Sequence, residues 1–132
     1  MTNVKQVILI RKDLHMRRGK EIAQGSHASM EFLVAQLRAQ LLSDPAAEVK
    51  VVIDPAAAHW ITKGIAKICL RVESEADLLR YHEAALAKGL PSHVIRDSGR
   101  TEFHGVPTYT ACAIGPGEAE AIDAITGELV LY

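Results

Sequence analysis

Short β-forming runs alternate with helical patterns along this chain, and such alternation is typical of an α/β fold. Residues 5–11, KQVILIR, form an apolar run that predicts a buried strand, and a helical pattern follows from Lys20 to about Leu42. The other predicted elements are helices over 55–62, 74–88 and 118–125 and strands over 66–72, 92–96 and 109–114. We therefore expect one domain over residues 1–132, an α/β three-layer sandwich in which helices flank a mixed four-stranded sheet.

Several local patterns make this expectation more specific. Side chains recurring at three- and four-residue steps predict the buried face of the long helix: Ile22, Ser26, Met30, Leu33, Leu37 and Leu41. The segment Gly115-Pro116-Gly117 predicts a turn that breaks the last strand. We expect Trp60 to be a packing anchor, and the strand residues Cys69 and Cys112 to be buried, inert thiols.

Composition excludes several classes of protein. Hydrophobic residues make up 48% of the chain and charged residues 23%, as in ordinary folded domains. No apolar run approaches the roughly 20 residues that span a bilayer, and the four residues 7–10 are too few for the apolar region of a signal peptide. Two cysteines and six scattered histidines without H-E-x-x-H spacing do not predict a disulfide scaffold or a metal site. We expect a cytoplasmic protein without membrane attachment or metal.

Charge is distributed unevenly along the chain. The net charge is −1, yet residues 1–20 contain six basic residues against Asp13 alone. A local charge of +5 on a nearly neutral protein is typical of a surface that contacts a polyanion.

The segment RRGKEIAQGSHA, residues 17–28, contains the first candidate site. On a helix, Lys20, Gln24, His27 and Glu31 lie along one strip. The free N–H groups of the helix start, next to the basic cluster, would bind an anion. The alternative is that this strip is an ordinary solvated flank of the helix. Ser26 and His27 are adjacent and face different directions, so they are not a nucleophile–base pair.

The segment Asp97-Ser98-Gly99-Arg100-Thr101 contains the second candidate site, because it follows the end of a predicted strand. Asp97 can orient a water or accept its proton, and Thr101 can donate to a carbonyl or phosphate. The alternative is an Asx-type turn in which the Asp97 carboxylate bonds its own backbone and Gly99 has a positive φ. From the residues alone, the two interpretations weigh about equally.

Beyond these patterns, the chain resembles the type 2 peptidyl-tRNA hydrolases, a family common in archaea and eukaryotes. The resemblance runs through VILIRKDLHMRRGKEIAQGSHA (7–28), KICLRVESEADL (67–78), VIRDSGRTEF (94–103) and AIGPGEAEAIDAITGELVLY (113–132). The order and spacing of these segments are kept over nearly the whole chain.

The resemblance implies hydrolysis of the ester that joins the C-terminal carbonyl of a peptide to the ribose at the 3′ end of a tRNA. By position it implies these active-site residues: Lys20, Gln24, Asp97, Thr101 and Thr110, with His27 in support. Asp97 would polarise a water, while Lys20 stabilises the oxyanion or the leaving ribose oxygen. The basic residues expected to hold tRNA phosphates are Arg11, Lys12, Arg17, Arg18 and Arg100.

The resemblance also implies an enzyme without cofactor or metal, a peptidyl-tRNA substrate and a homodimer. Two other functions remain open at this point. The chain is a catalytically silent module that grips tRNA or a protein, or it is a hydrolase of another acyl ester or amide. Retention of the Lys, Gln, Asp and Thr set argues against the silent module.

Overall fold

The computed structural model describes residues 3–132 and contains four strands and four α-helices. The elements of the first half are β1 (Val4–Arg11), α1 (Arg18–Ser43), α2 (Pro55–Thr62) and β2 (Lys67–Val72). Those of the second half are α3 (Glu75–Ala87), β3 (Ser92–Asp97), β4 (Thr108–Glu118) and α4 (Ala119–Thr126). All eight predicted elements are therefore confirmed, although residues 1 and 2 of the expected domain over 1–132 lie outside the described range. No helix within residues 3–132 is long and apolar enough to cross a membrane.

The four strands form one mixed sheet in the order β2-β1-β4-β3. Strand β1 pairs in parallel with β2 and antiparallel with β4, and β3 is antiparallel to β4. Since β1 and β3 both run opposite to β4, their carboxyl ends lie at the same end of the sheet. Ala111 of β4 pairs with Ile10 on one side and with Ile95 on the other. This places the connection from β1 to α1 beside the end of β3.

Helices cover both faces of the sheet, which confirms the α/β sandwich. Val7 and Leu9 of β1 pack in a buried cluster with Leu78 of α3 and Ile122 of α4. The alternate residues of β1 point to the opposite face, where they pack against Ala28 of α1 and against Met16, just before that helix. Because side chains alternate along a strand, β1 contributes to both clusters and is buried from Gln6 to Ile10.

Helix α2 packs against α1 through its tryptophan. The ring of Trp60 meets Phe32 edge to face, with 5.9 Å between ring centroids. Its Nε1–H donates to the Ala66 carbonyl at 2.8 Å. The helix begins at Asp54, whose side chain accepts the N–H of Ala57 at 2.8 Å. Trp60 is thus the packing anchor that the sequence predicts.

The predicted break at Gly115-Pro116-Gly117 is wrong, because β4 continues through this segment to Glu118. Gly115 N–H donates to the Pro91 carbonyl at 2.8 Å, and Gly117 pairs with Lys5. A shift in the register of β1 between Lys5 and Val7 accommodates the proline. Gly115 has φ +96, and a Cβ there would lie 2.8 Å from the Lys5 carbonyl oxygen, so the glycine permits the close approach of two strands.

The predicted buried face of α1 is also wrong. The buried residues are Gln24, Ala28 and Ser29, whereas Ile22 is 64% exposed and Met30 58% exposed. Small side chains let this helix lie close to the sheet, and the larger apolar ones are left on its flank.

The two cysteines differ. Cys112 of β4 is buried as predicted, but Cys69 lies exposed on the outer strand β2. The prediction for Cys69 fails because an outer strand is buried less completely than an inner one.

Candidate active site

The first turn of α1 and the end of β3 form a cleft that contains the candidate catalytic residues. Helix α1 begins at Arg18, so Lys20 lies in its first turn, and β3 ends at Asp97. Lys20 Nζ donates to Asp97 Oδ1 at 2.9 Å and to Thr101 Oγ1 at 2.9 Å. The two charged side chains are only 14% and 13% exposed. A largely desolvated ion pair therefore joins two segments that are 77 residues apart.

Gln24 lies one turn further along α1 and connects this ion pair to β4. Its Nε2 is 3.4 Å from Asp97 Oδ1, and its Oε1 accepts a short hydrogen bond from the hydroxyl of Thr110. Gln24 is 3% exposed and Thr110 is 0% exposed. Because the hydroxyl occupies the amide oxygen, the NH₂ group is directed at the carboxylate.

The loop after β3 is held by the second oxygen of the same carboxylate. Gly99 N–H donates to Asp97 Oδ2 at 2.8 Å, which is the Asx-type turn offered as an alternative by the sequence. Gly99 has φ +82, and a Cβ there would lie 2.3 Å from the Val106 carbonyl oxygen. The turn and the ion pair coexist, since each uses a different oxygen of Asp97.

The electrostatics of the cleft favour an ionised Asp97. Burial by itself would raise the pKa of this carboxyl. The hydrogen bonds from Lys20, Gly99 and Gln24 and the positive charge of Lys20 outweigh that effect, so the pKa of Asp97 is lowered from its ordinary value. The site therefore presents a carboxylate, an ammonium group and the Thr101 hydroxyl within hydrogen-bond distance of one another, with the Gln24 amide beside the carboxylate.

His27 is exposed and makes no hydrogen bond to Lys20 or Asp97. It lines a cavity of about 590 Å³ that Gln24 and Asp97 also line. The predicted strip along α1 thus exists, with its first two residues in the cleft and His27 in the adjoining cavity.

The residues predicted to bind phosphate differ in their exposure and in their contacts. Arg17 and Arg100 line a second cavity, of about 400 Å³, together with residues of the loop, and Arg17 Nε lies 3.9 Å from a Glu102 oxygen. Arg18 and Lys12 are exposed. Lys12 Nζ lies 4.7 Å from the centroid of the Tyr132 ring.

Arg11 differs from the other four residues. Its Nη1 donates to the Tyr109 carbonyl at 2.9 Å and its Nη2 to Asp13 at 2.7 Å. The guanidinium is used within the protein rather than presented to a phosphate.

Phe103 is a site residue that the sequence does not reveal. Lys20 Nζ lies 5.9 Å from the centroid of its ring, on the side of the loop. Phe103 and His104 both have positive φ, at 64° and 53°, so the loop is folded back toward the cleft in a conformation rare for such residues. No sequence motif signals this contact, because it depends on the shape of the loop.

The arrangement is suited to hydrolysis of an activated carbonyl group. A carboxylate can orient a water, and the ammonium group and hydroxyl can stabilise an oxyanion. Within residues 3–132, no group of three or more His, Cys, Asp or Glu side chains is placed so that it could hold a metal ion.

Comparison with known proteins gives consistent matches. The family model described as "Peptidyl-tRNA hydrolase PTH2" matches residues 4–132. A peptidyl-tRNA hydrolase of Methanocaldococcus jannaschii is 40% identical over 129 residues, which cover 97% of this chain and 99% of the relative. One of Methanopyrus kandleri is 41% identical over 127 residues, which cover 96% and 97%. A solved structure of a protein of unknown function from Agrobacterium tumefaciens covers 100% of this chain and 99% of its own with a TM-score of 0.54. At 14% identity, that last match concerns the fold alone.

Proposed function

This chain belongs to the PTH2 family of peptidyl-tRNA hydrolases, and we propose that it cleaves the ester between a peptide and the tRNA 3′ ribose in the cleft between α1 and the end of β3. The observation that carries this proposal is the desolvated pair of Lys20 and Asp97, bridged to Thr101 by the same ammonium group. The comparisons give no support to a catalytically silent binding module.

The free hydrogen-bonding positions of the cleft suggest how water and ester are held. Two of the three Lys20 donors are occupied, by Asp97 and Thr101, and the third is free for the ester carbonyl oxygen. Among the described residues, Lys20 and Gln24 donate to Asp97 Oδ1, whereas only the Gly99 N–H donates to Oδ2. The second lone pair of Oδ2 is therefore free to hold the attacking water.

In this mechanism Asp97 orients and polarises the water, since a carboxylate with a lowered pKa is a weak base. Lys20 stabilises the negative charge that develops on the carbonyl oxygen and then on the leaving ribose oxygen, which takes up the proton that the attacking water loses. An ester needs little further activation, so a covalent acyl-enzyme is not required.

The exposed cations next to the cleft are proposed to hold tRNA phosphates: Lys12, Arg17, Arg18 and Arg100. Phosphate contacts position a nucleic acid without reading its sequence, and their strength falls steeply with salt. Arg17→Ala and Arg18→Ala should each weaken tRNA binding and reduce its salt dependence by about one unit of slope. Arg80→Ala, on α3, is the matched control, because its guanidinium is paired with Asp77.

The catalytic proposal is tested by release of tRNA from N-acetyl-aminoacyl-tRNA, with binding of uncharged tRNA measured in parallel. Lys20→Ala and Asp97→Ala should abolish release and leave tRNA binding in place. Asp97→Asn should also lose activity, although its side-chain oxygen still accepts the Gly99 N–H. Wild-type protein that binds tRNA and releases nothing would instead establish the silent module, and equal activity on esters without tRNA would establish a different substrate.

We also propose that two copies of the chain associate through the apolar flank of α1. Ile22 and Met30 are exposed there and line a groove of about 500 Å³ with Ile10, Cys69 and Tyr132. Sedimentation of the wild type should give a dimer, and Met30→Glu should give a monomer. Leu42→Glu, at an equally apolar exposed residue outside the groove, is the control.

We propose a cytoplasmic location as well, since peptidyl-tRNA arises during translation.

A further inference from the structure

The outer edge of β3 opens directly onto the active-site cavity. Within residues 3–132, strand β3 is the last strand of the sheet and pairs only with β4. The cavity of about 590 Å³ is lined by every residue from Ser92 to Ser98. Gln24 and His27 of α1 line it from one face of the sheet, and His82 of α3 lines it from the other. Since the two helices lie on opposite faces, this cavity runs along the edge of the strand, and it ends at Asp97.

The backbone groups along this edge are available for pairing. The Pro91 carbonyl accepts from Gly115 N–H, and the register of β3 with β4 is regular from Ser92 to Ile95. In an antiparallel pair, successive residues alternate between facing the partner and facing away. Val94 therefore directs its N–H and C=O away from β4 into the cavity. Within residues 3–132, no backbone or side-chain group hydrogen-bonds to either of them.

The opposite edge of the same sheet is covered. Along β2, Arg71 N–H donates to the Val130 carbonyl and Tyr132 N–H to the Cys69 carbonyl. An isolated bridge joins Leu70 to Leu131. Proteins commonly protect strand edges in this way, because an uncovered edge pairs with other chains. The edge that is left open is the one that leads to the catalytic pair.

We propose that the edge of β3 binds the peptide portion of the substrate as an added strand, through main-chain hydrogen bonds. This inference rests on the proposed function, which supplies a peptide whose C-terminal carbonyl reacts beside Asp97. With its C-terminus at the Asp97 end, the peptide runs in the same direction as β3, so the added strand is parallel. Its N-terminal end leaves the cavity near Ser92 and His82.

Main-chain pairing suits a substrate whose side chains vary. A strand added to an edge gains affinity from N–H and C=O groups that every residue has, and specificity only from the pockets that flank it. The flanking groups here are polar. Arg38 pairs with Glu31 at 2.6 Å on α1, and His82 Nδ1 lies 2.6 Å from Ser92 Oγ. These groups form no deep apolar pocket that would select one side chain.

The geometry also fixes the length of peptide that is recognised. From Val94 to Asp97 is three residues, or about 10 Å at about 3.3 Å per residue. A blocked single amino acid on the tRNA does not reach Val94, whereas a blocked peptide of about four residues does. The ester carbonyl is held by Lys20 whatever the peptide length.

The test compares tRNA carrying N-acetyl-alanine with tRNA carrying N-acetyl-alanine peptides of two, three and four residues. The value of kcat/KM should rise about five- to tenfold by the fourth residue, and replacing the upstream alanines by glycine or leucine should change it less than twofold. N-methylation of single peptide bonds should remove part of the gain at one position, the one whose N–H bonds the Val94 carbonyl. Equal kcat/KM for all four lengths, or a methyl scan without effect, would overturn the inference.

Two variants of Val94 test whether its backbone N–H contributes to peptide binding. Val94→Pro removes the outward N–H, and Val94→Ala keeps it while also shortening the side chain. The measured quantity is the ratio of kcat/KM for the four-residue peptide to that for N-acetyl-alanine within each variant, so a general loss of activity cancels. The ratio should fall toward one in Val94→Pro and persist in Val94→Ala; a ratio that persists in both contradicts the proposed pairing. If Val94→Pro does not fold, the methyl scan on the wild type decides. Wild-type protein inactive on every length would refute the proposed function itself.

Discussion

The hydroxyl of Thr110 should determine which way the Gln24 amide faces, and Thr110→Val tests this directly. The substitution keeps the shape of a side chain that is fully buried in β4 and removes its only polar group. Oε1 of Gln24 then loses its donor, while the amide stays buried between α1 and the sheet. Rotation of the amide to find another partner would turn its NH₂ group away from Asp97.

The magnitude follows from the burial of that oxygen. A buried acceptor without a partner costs about 1–3 kcal/mol of unfolding free energy. With an unfolding entropy of about 2.1 cal/mol/K per residue over 132 residues, each kcal/mol lowers Tm by about 3.6 °C, so we expect a decrease of about 4–11 °C. The bond from Gln24 to Asp97 is long, at 3.4 Å, and its loss should lower kcat/KM about three- to tenfold.

Thermal unfolding and release of tRNA from N-acetyl-aminoacyl-tRNA, measured below the transition, give the two quantities. Thr126→Val is the matched control, since Thr126 is also fully buried and donates to the Ile122 carbonyl within α4. That carbonyl keeps its helical bond, so the control should lose less stability and no activity. Thr110→Val with wild-type kcat/KM would refute the idea that the hydroxyl orients the amide.

Further predictions concern the same loop and the thiols. Lys20→Met should raise the pKa of Asp97 in the folded protein. A lowered folded pKa gives stability that is full above the unfolded-state pKa and is lost as pH falls through the folded value, so the loss of unfolding free energy on acidification should be smaller in the variant, as urea titrations at pH 2–6 would show. Gly99→Ala should cost more stability and activity than Gly105→Ala, since both glycines have positive φ but only the first has a backbone oxygen 2.3 Å from the added Cβ; equal Tm losses would contradict this. A thiol reagent should modify Cys69 well before the second, buried cysteine, whose pKa is raised to about 11 by burial, so Cys69→Ser should remove the fast phase.

The elements could be predicted from the sequence because their signals are local. Asp54-Pro55 and Ser74 mark helix starts, and the structure has caps at both Asp54 and Ser74. The predictions that proved wrong concern features that depend on contacts with a distant segment of the chain. The continuation of β4 through Pro116 depends on a register shift in β1, and the buried face of α1 depends on how close the sheet allows that helix to come.

The candidate site divides in the same way. Helical periodicity alone places Lys20 and Gln24 on one strip. Their meeting with Asp97 depends on sheet order, because only the pairing of β1 and β3 with the same β4 brings the start of α1 to the end of β3. The resemblance to a family predicted that Asp97 and Thr110 belong to the same site. Neither the helical pattern nor the resemblance predicted Phe103.

The two interpretations of Asp97 that the sequence left open prove to be compatible, and this has a physical consequence. A carboxylate has two oxygens, and Oδ2 anchors the loop through Gly99 while Oδ1 meets Lys20 and Gln24. The turn fixes the rotation of the carboxylate, so Oδ1 faces Lys20 before any substrate binds. The conformational entropy of the Asp97 side chain is therefore lost during folding and not during the reaction. Asp97→Asn preserves the turn and removes the charge, whereas Asp97→Ala removes both. Loss of activity in Asn with stability closer to wild type than in Ala is therefore the result that separates the catalytic role from the structural one.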